Sequence, residues 1–194
     1  MNEKERQIIK AAGKKALANR QKGFHCSESV FLAINDTFKI TDPSMVRMVT
    51  GFHGGGGTHR KRKDVDLTQT LEGMAAGRET RSGDELPVIQ IGHLCGALAS
   101  SIICIGLLYG RESGSDDVTC VDELCYELHR RFEEKLGEKE CRHLFPKWKA
   151  VSSSNNCEYV YQTAAELAVE LILEASTIVP ECQAIGFKTP SNVR

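Results

Sequence analysis

Apolar residues recur at helical spacing along almost the whole of this chain, and no run of alternating residues is long enough to argue for a sheet. Residues 3 to 20 carry Ile8, Ile9, Ala12, Ala16 and Leu17 between lysines and arginines, the pattern of an amphipathic surface helix that Gly23 ends. A second helix is predicted from near Ser27 through Val30, Phe31, Ile34 and Phe38, with Cys26 in its cap region. Asp42-Pro43 reads as the N-cap and first residue of a third, which contains Met45, Val46 and Val49 and stops at Gly51. Residues 51 to 63 read as loop, and a short helix is expected at 67–76. The most apolar helix runs from Ile89 or Ile91 to Tyr109, where Gly110 is a natural stop.

The second half repeats this grammar. Asp116 or Asp117 is expected to cap a helix through Val121, Leu124, Leu128, Phe132 and Leu136, ended by Gly137. A brief helical turn at Glu138 to Leu144 carries Cys141 ahead of Pro146. The capping cluster Ser152-Ser153-Ser154-Asn155-Asn156 precedes a last long helix over Tyr159 to Leu173, with Cys157 in its first turn. The fold class is therefore all-α, a compact bundle of about five to seven helices. One helical domain is expected over 1–176, with an inserted loop and short helix at about 57–91, followed by a loose tail at 177–194.

A chain of 194 residues with 41% hydrophobic content can close one sizeable core. Its 25 basic and 26 acidic residues leave no global field to recruit nucleic acid or an anionic membrane. The charged start Met1-Asn2-Glu3-Lys4-Glu5-Arg6 has no apolar run behind it, so it reads as neither secretory signal nor membrane anchor. These readings predict a cytoplasmic protein. In that compartment its eight cysteines are expected to be reduced, metal-bound or catalytic rather than paired in structural disulfides.

The chemistry concentrates in Gly92-His93-Leu94-Cys95-Gly96-Ala97-Leu98-Ala99-Ser100-Ser101, where a thiol sits among small residues at the start of an apolar helix. Cys26, Cys141 and Cys157 also fall at or near helix starts, where unpaired backbone N–H groups favour thiolate over thiol. The small residues after Cys95, with Gly96 first, let a neighbouring helix or a flat cofactor come close; tight helix packing alone is the competing reading. Cys104, among Ile102, Ile103 and Ile105, reads as an apolar core filler.

There is no C-x-x-C pair to announce zinc or an iron–sulfur cluster. Cys120 and Cys125 share a helix but stand about 140° out of line. Without C-x-x-C-H, ordinary covalent haem attachment is excluded, while non-covalent haem stays open. His25, His93 and His143, close in sequence to Cys26, Cys95 and Cys141, are candidate axial or metal ligands against the commoner hydrogen-bonding role. The run Gly54-Gly55-Gly56-Gly57, followed by His59-Arg60-Lys61-Arg62-Lys63, either cradles an anion or is a flexible loop with solvated charges, and it lacks the ending of a P-loop. Its glycines, Gly54 and Gly55 among them, would let backbone pass close to a cofactor. No nucleophile elbow and no H-E-x-x-H motif is present, which makes hydrolase readings weak.

In order, Cys26-Ser27-Glu28-Ser29-Val30, Gly51-Phe52-His53-Gly54-Gly55-Gly56, Cys95-Gly96-Ala97, Gly106-Leu107-Leu108-Tyr109-Gly110, Cys141 and Cys157 resemble the C_GCAxxG_C_C family of redox-active proteins, over residues 24 to about 173. A fainter likeness extends to split-Soret cytochrome c proteins, whose haem-attachment motif this chain lacks. The chain departs from the family where Ser100 stands in place of a glycine, and in the longer stretch between Gly57 and Gly92. The resemblance implies that Cys26, Cys95, Cys141 and Cys157 are the functional cysteines, whereas Cys104, Cys120, Cys125 and Cys182 have no counterpart in the motif.

The function this implies is a redox-active protein in which the four cysteines ligate a metal or iron–sulfur centre or cycle between dithiol and disulfide. In the dithiol version Cys26 or Cys95 is the attacking, catalytic thiol. In the metal version all four are ligands, with Gly54, Gly55 and Gly96 against the cofactor. The alternative is a non-catalytic carrier of non-covalent haem or metal. A redox partner protein is expected in either case, and a homodimer is compatible with the small-residue helix and the apolar last helix.

Overall fold

The computed structural model describes residues 1–60, 78–79, 88–180 and 182. The expected helix at 67–76 and the basic residues 61–63 lie outside them. The helical periodicity is realised as α1 (Glu3–Gln21), α2 (Cys26–Phe38), a 3₁₀ turn (Pro43–Val46), the single turns α3 (Arg47–Thr50) and α4 (His53–Gly56), then α5 (Gly96–Tyr109), α6 (Thr119–Leu136), α7 (Cys141–Lys149) and α8 (Glu158–Ile178). No helix among the described residues is long and apolar enough to cross a membrane.

The bundle is organised around α8, which packs against α1, α2, α5, α6 and α7. Small residues permit the closest of these approaches. Ala12, Gly13 and Ala16 form the buried face of α1, and a side chain at Gly13 would run into Glu166 of α8. Phe31, Ile34, Leu98, Ile105, Leu124, Leu128, Phe132 and Leu171 fill the space between helices and are sealed from solvent. α5 is apolar on nearly every side because it lies between α2, α6 and α8. Two of its polar side chains are spent internally: Ser101 Oγ donates to Ala97 O at 3.0 Å, and Tyr109 OH donates to Ile172 O of α8 at 3.3 Å.

The structure differs from the sequence expectations at several places. A small antiparallel sheet, β1 (Thr58–Arg60), β2 (Arg78–Glu79) and β3 (Val88–Gln90) in the order β1-β3-β2, stands beside the helices. Strands of two or three residues are too short to show alternation, so periodicity could not find them. For the same reason the apolar helix starts at Gly96 and not at Ile89 or Ile91: β3 takes the first residues, and Gly92 at φ +83° breaks the path. Neither Asp116 nor Asp117 caps α6. Asp116 accepts from Ser113 N–H at 2.9 Å and Asp117 from the Thr119 hydroxyl at 2.9 Å, both closing the preceding loop. α7 continues through Pro146 to Lys149 with Leu144 and Phe145 buried ahead of the proline.

The cysteines were expected to be unpaired by structural disulfides, yet Cys120 is bonded to Cys182, with Cα atoms 5.3 Å apart. The chain after Thr177 is accordingly not loose throughout: α8 runs to Ile178, and Cys182 is buried against the start of α6. Their wide sequence separation hid this pairing, since spacing alone carries no connectivity.

Candidate functional site

Each of the four motif cysteines stands at the amino end of a helix. Cys26 is the first residue of α2 and Cys141 the first of α7, while Cys95 and Cys157 are the N-cap residues of α5 and α8. The α2 start is fixed by His25 N–H donating to Glu28 Oε2 at 2.7 Å, and by Arg20 Nη1 and Ser29 Oγ both donating to Phe24 O.

A backbone clamp joins two of these starts, those of α5 and α7, to the glycine turn of α4. The left-handed turn at Gly54 and Gly55 accepts two bonds from the strand-like segment after β3, Gly92 N–H to Gly54 O at 2.8 Å and His93 N–H to Gly55 O at 2.9 Å. The same segment accepts from α7 on its other edge, Cys141 N–H to His93 O at 2.7 Å and Arg142 N–H to Gly92 O at 3.0 Å. Cys95 N–H then donates to Lys139 O at 2.8 Å, so Cys95 and Cys141 approach one another across a paired backbone. Glycine is required twice here. At Gly55 a Cβ would lie 2.6 Å from His93 N and 2.8 Å from the Cys141 Cβ, and at Gly96 it would strike Phe52 O and lie 3.3 Å from the Ser27 Cβ.

The thiols are electrostatically linked through Cys157 and Cys95. The Cys157 thiol is raised well above its usual range, by burial first and then by Cys26, Cys95 and Cys141 as like charges. Burial, followed by the charge of Cys26, pushes the Cys95 thiol up to about 12. Cys26 is also raised by burial, against the lowering pull of the Gly54 and Ser27 amides and of Arg20. The expectation that helix starts would hold these groups as thiolates is corrected by this balance. The amides pull in the expected direction, and desolvation outweighs them. Cys26, Cys95 and Cys157 therefore rest as neutral thiols.

Polar neighbours complete it. Cys141 Sγ donates to Gln90 Oε1 at 3.5 Å, and Gln90 is itself buried at the end of β3. Tyr161, one turn into α8 from Cys157, donates to Asn156 Oδ1 at 3.1 Å; its phenol is raised by burial first and then by Cys157. The rings of His25 and His53 stack with centroids 4.1 Å apart, and His53 meets Thr50 O at 2.8 Å and Thr58 Oγ1 at 3.2 Å through its two nitrogens. His143 meets Glu138 at 3.1 Å, while His93 is exposed. Among the described residues no three His, Cys, Asp or Glu side chains are arranged to hold a metal ion.

Cys104 is buried in the core, and burial raises its thiol. Arg20, Gln90, Asn156 and Tyr161 escaped the sequence reading. Only Asn156, beside Cys157 in a capping cluster, carried a usable signal.

Residues 78–171 match the family described as putative redox-active protein (C_GCAxxG_C_C). That stretch contains Cys95, Cys141 and Cys157, and Cys26 lies before it. No curated protein and no solved structure matches the chain.

Proposed function

We propose, from the redox-active family match over residues 78–171, that Cys26, Cys95, Cys141 and Cys157 act as one thiol redox centre that cycles between dithiol and disulfide. The observation that carries this reading is that four helices far apart in sequence each begin on one of these cysteines, with Cys95 and Cys141 on neighbouring paired segments and Cys157 raised by the other three. In the oxidative half of the cycle two cysteines lose two electrons and two protons and join through one S–S bond. The disulfide of a redox partner protein accepts both electrons and both protons and leaves as two thiols. Cys26 and Cys157 are the partly exposed members and meet the partner first; Cys95 and Cys141 are buried and resolve the mixed disulfide from within.

A second reading is favoured by the amides of Gly54 and Ser27 at Cys26 and of Leu98 and Ala97 at Cys95, which would stabilise metal-bound thiolates. In it the four cysteines are ligands of a metal ion or of an iron–sulfur centre, the latter of which would supply one-electron chemistry.

Metal and haem analysis with an absorption spectrum, on protein purified without oxygen, separates the two. A colourless, metal-free protein that loses thiols on mild oxidation supports the dithiol cycle. Stoichiometric iron or zinc supports ligation, and a sharp Soret band would instead support non-covalent haem carriage.

A further inference from the structure

Two hydroxyls beside this centre have no partner. Ser27 Oγ and Ser100 Oγ are both sealed from solvent and neither makes a hydrogen bond to any protein group. A buried hydroxyl left unsatisfied is unfavourable, and native interiors answer such groups with ordered water. The two belong to one seam. The Ser27 Cβ lies 3.3 Å from where a side chain on Gly96 would begin, and Ser100, four residues after Gly96, lies on that same face of α5. Ser27 follows Cys26 directly, and Gly96 follows Cys95, so the seam between α2 and α5 opens onto two of the four thiols. The neighbouring Ser101 is the contrast, since its hydroxyl is spent on Ala97 O and Ala164 O.

We infer that Ser27 and Ser100 hold an internal water in the α2–α5 seam and that this water carries protons away from Cys26 and Cys95 when they are oxidised. The inference rests on the dithiol cycle proposed above. Each oxidised thiol must release a proton, and a hydroxyl pair with water between them can accept and donate in turn. The protons end on the two thiols of the reduced reagent, so the exchange is balanced.

The test compares wild type with Ser27→Ala and Ser100→Ala. Oxidation by a small disulfide, oxidised glutathione, is followed in H₂O and D₂O across pH, together with the unfolding midpoint and a crystal structure of the wild type. The expected result is ordered solvent between the two hydroxyls, oxidation slowed roughly tenfold in each variant with an altered solvent isotope effect, and a midpoint unchanged or raised. A dry seam, or variants that oxidise at the wild-type rate with the wild-type pH profile, would overturn it. Wild-type protein whose four cysteines do not oxidise at all, with the water in place, would remove the dithiol cycle and the proton role while leaving the water site standing.

Discussion

Cys141 Sγ donates a hydrogen bond to Gln90 Oε1 at 3.5 Å, which ties the first residue of α7 to the last residue of β3. Fifty-one residues separate them in the chain, and the glycine turn at Gly54 and Gly55 holds the segment between β3 and Cys95 from the opposite side. Gln90→Leu keeps the volume and removes the acceptor. The expected loss is about 1 kcal/mol, read from the urea midpoint, with faster alkylation of Cys141.

Gly55→Ala places a Cβ on backbone already in contact, at a residue whose φ is +76°. The left-handed conformation alone costs an alanine roughly 1–2 kcal/mol, and the contact with Cys141 adds to it. Gly51→Ala is the control: its backbone is helical at φ −69° and nothing lies within 4 Å of the added methyl. Thermal unfolding should show a clear fall for the first and almost none for the second.

Raised thiols make stability sensitive to alkali. An unfolded Cys95 ionises near its reference value of 9.0, whereas the folded thiol does so only at about 12. Between these values the unfolded chain has bound fewer protons than the folded one, so stability falls as pH rises through that window and is fully present below it. Cys95→Ala should flatten the decline seen in denaturant midpoints between pH 9 and pH 12.

The Cys120–Cys182 bond closes a loop with a sequence separation of 62 and pins the chain beyond α8 to the start of α6. Cys182→Ser should lower stability by about 2–4 kcal/mol. Denatured wild-type protein, unreduced, should titrate only the six free cysteines, and mass spectrometry should place the missing pair at these two positions.

Much of this architecture was legible because it is local. Ile8, Ala12 and Ala16 repeat at helical spacing, and Gly110 and Gly137 end α5 and α6 where expected. The helix-start positions of the four cysteines were readable for the same reason. Their protonation was not. Helix-end amides can be inferred from the sequence of one element, but desolvation comes from all the elements packed over Cys95 and Cys157. Long-range pairings were equally hidden: nothing near Cys120 names Cys182, and nothing near Cys141 names Gln90. The strands escaped because they are two or three residues long and because β3 lies just ahead of the apolar helix in sequence and shares its composition.

The central claim, that four distant thiols form one redox centre, is tested most directly by mapping disulfides after mild oxidation of metal-free protein with oxidised glutathione. The account predicts that free thiols fall in pairs, and that every new bond joins two of Cys26, Cys95, Cys141 and Cys157 while Cys104 and Cys125 stay reduced. New bonds at Cys104 or Cys125, or an unchanged thiol count, would contradict it.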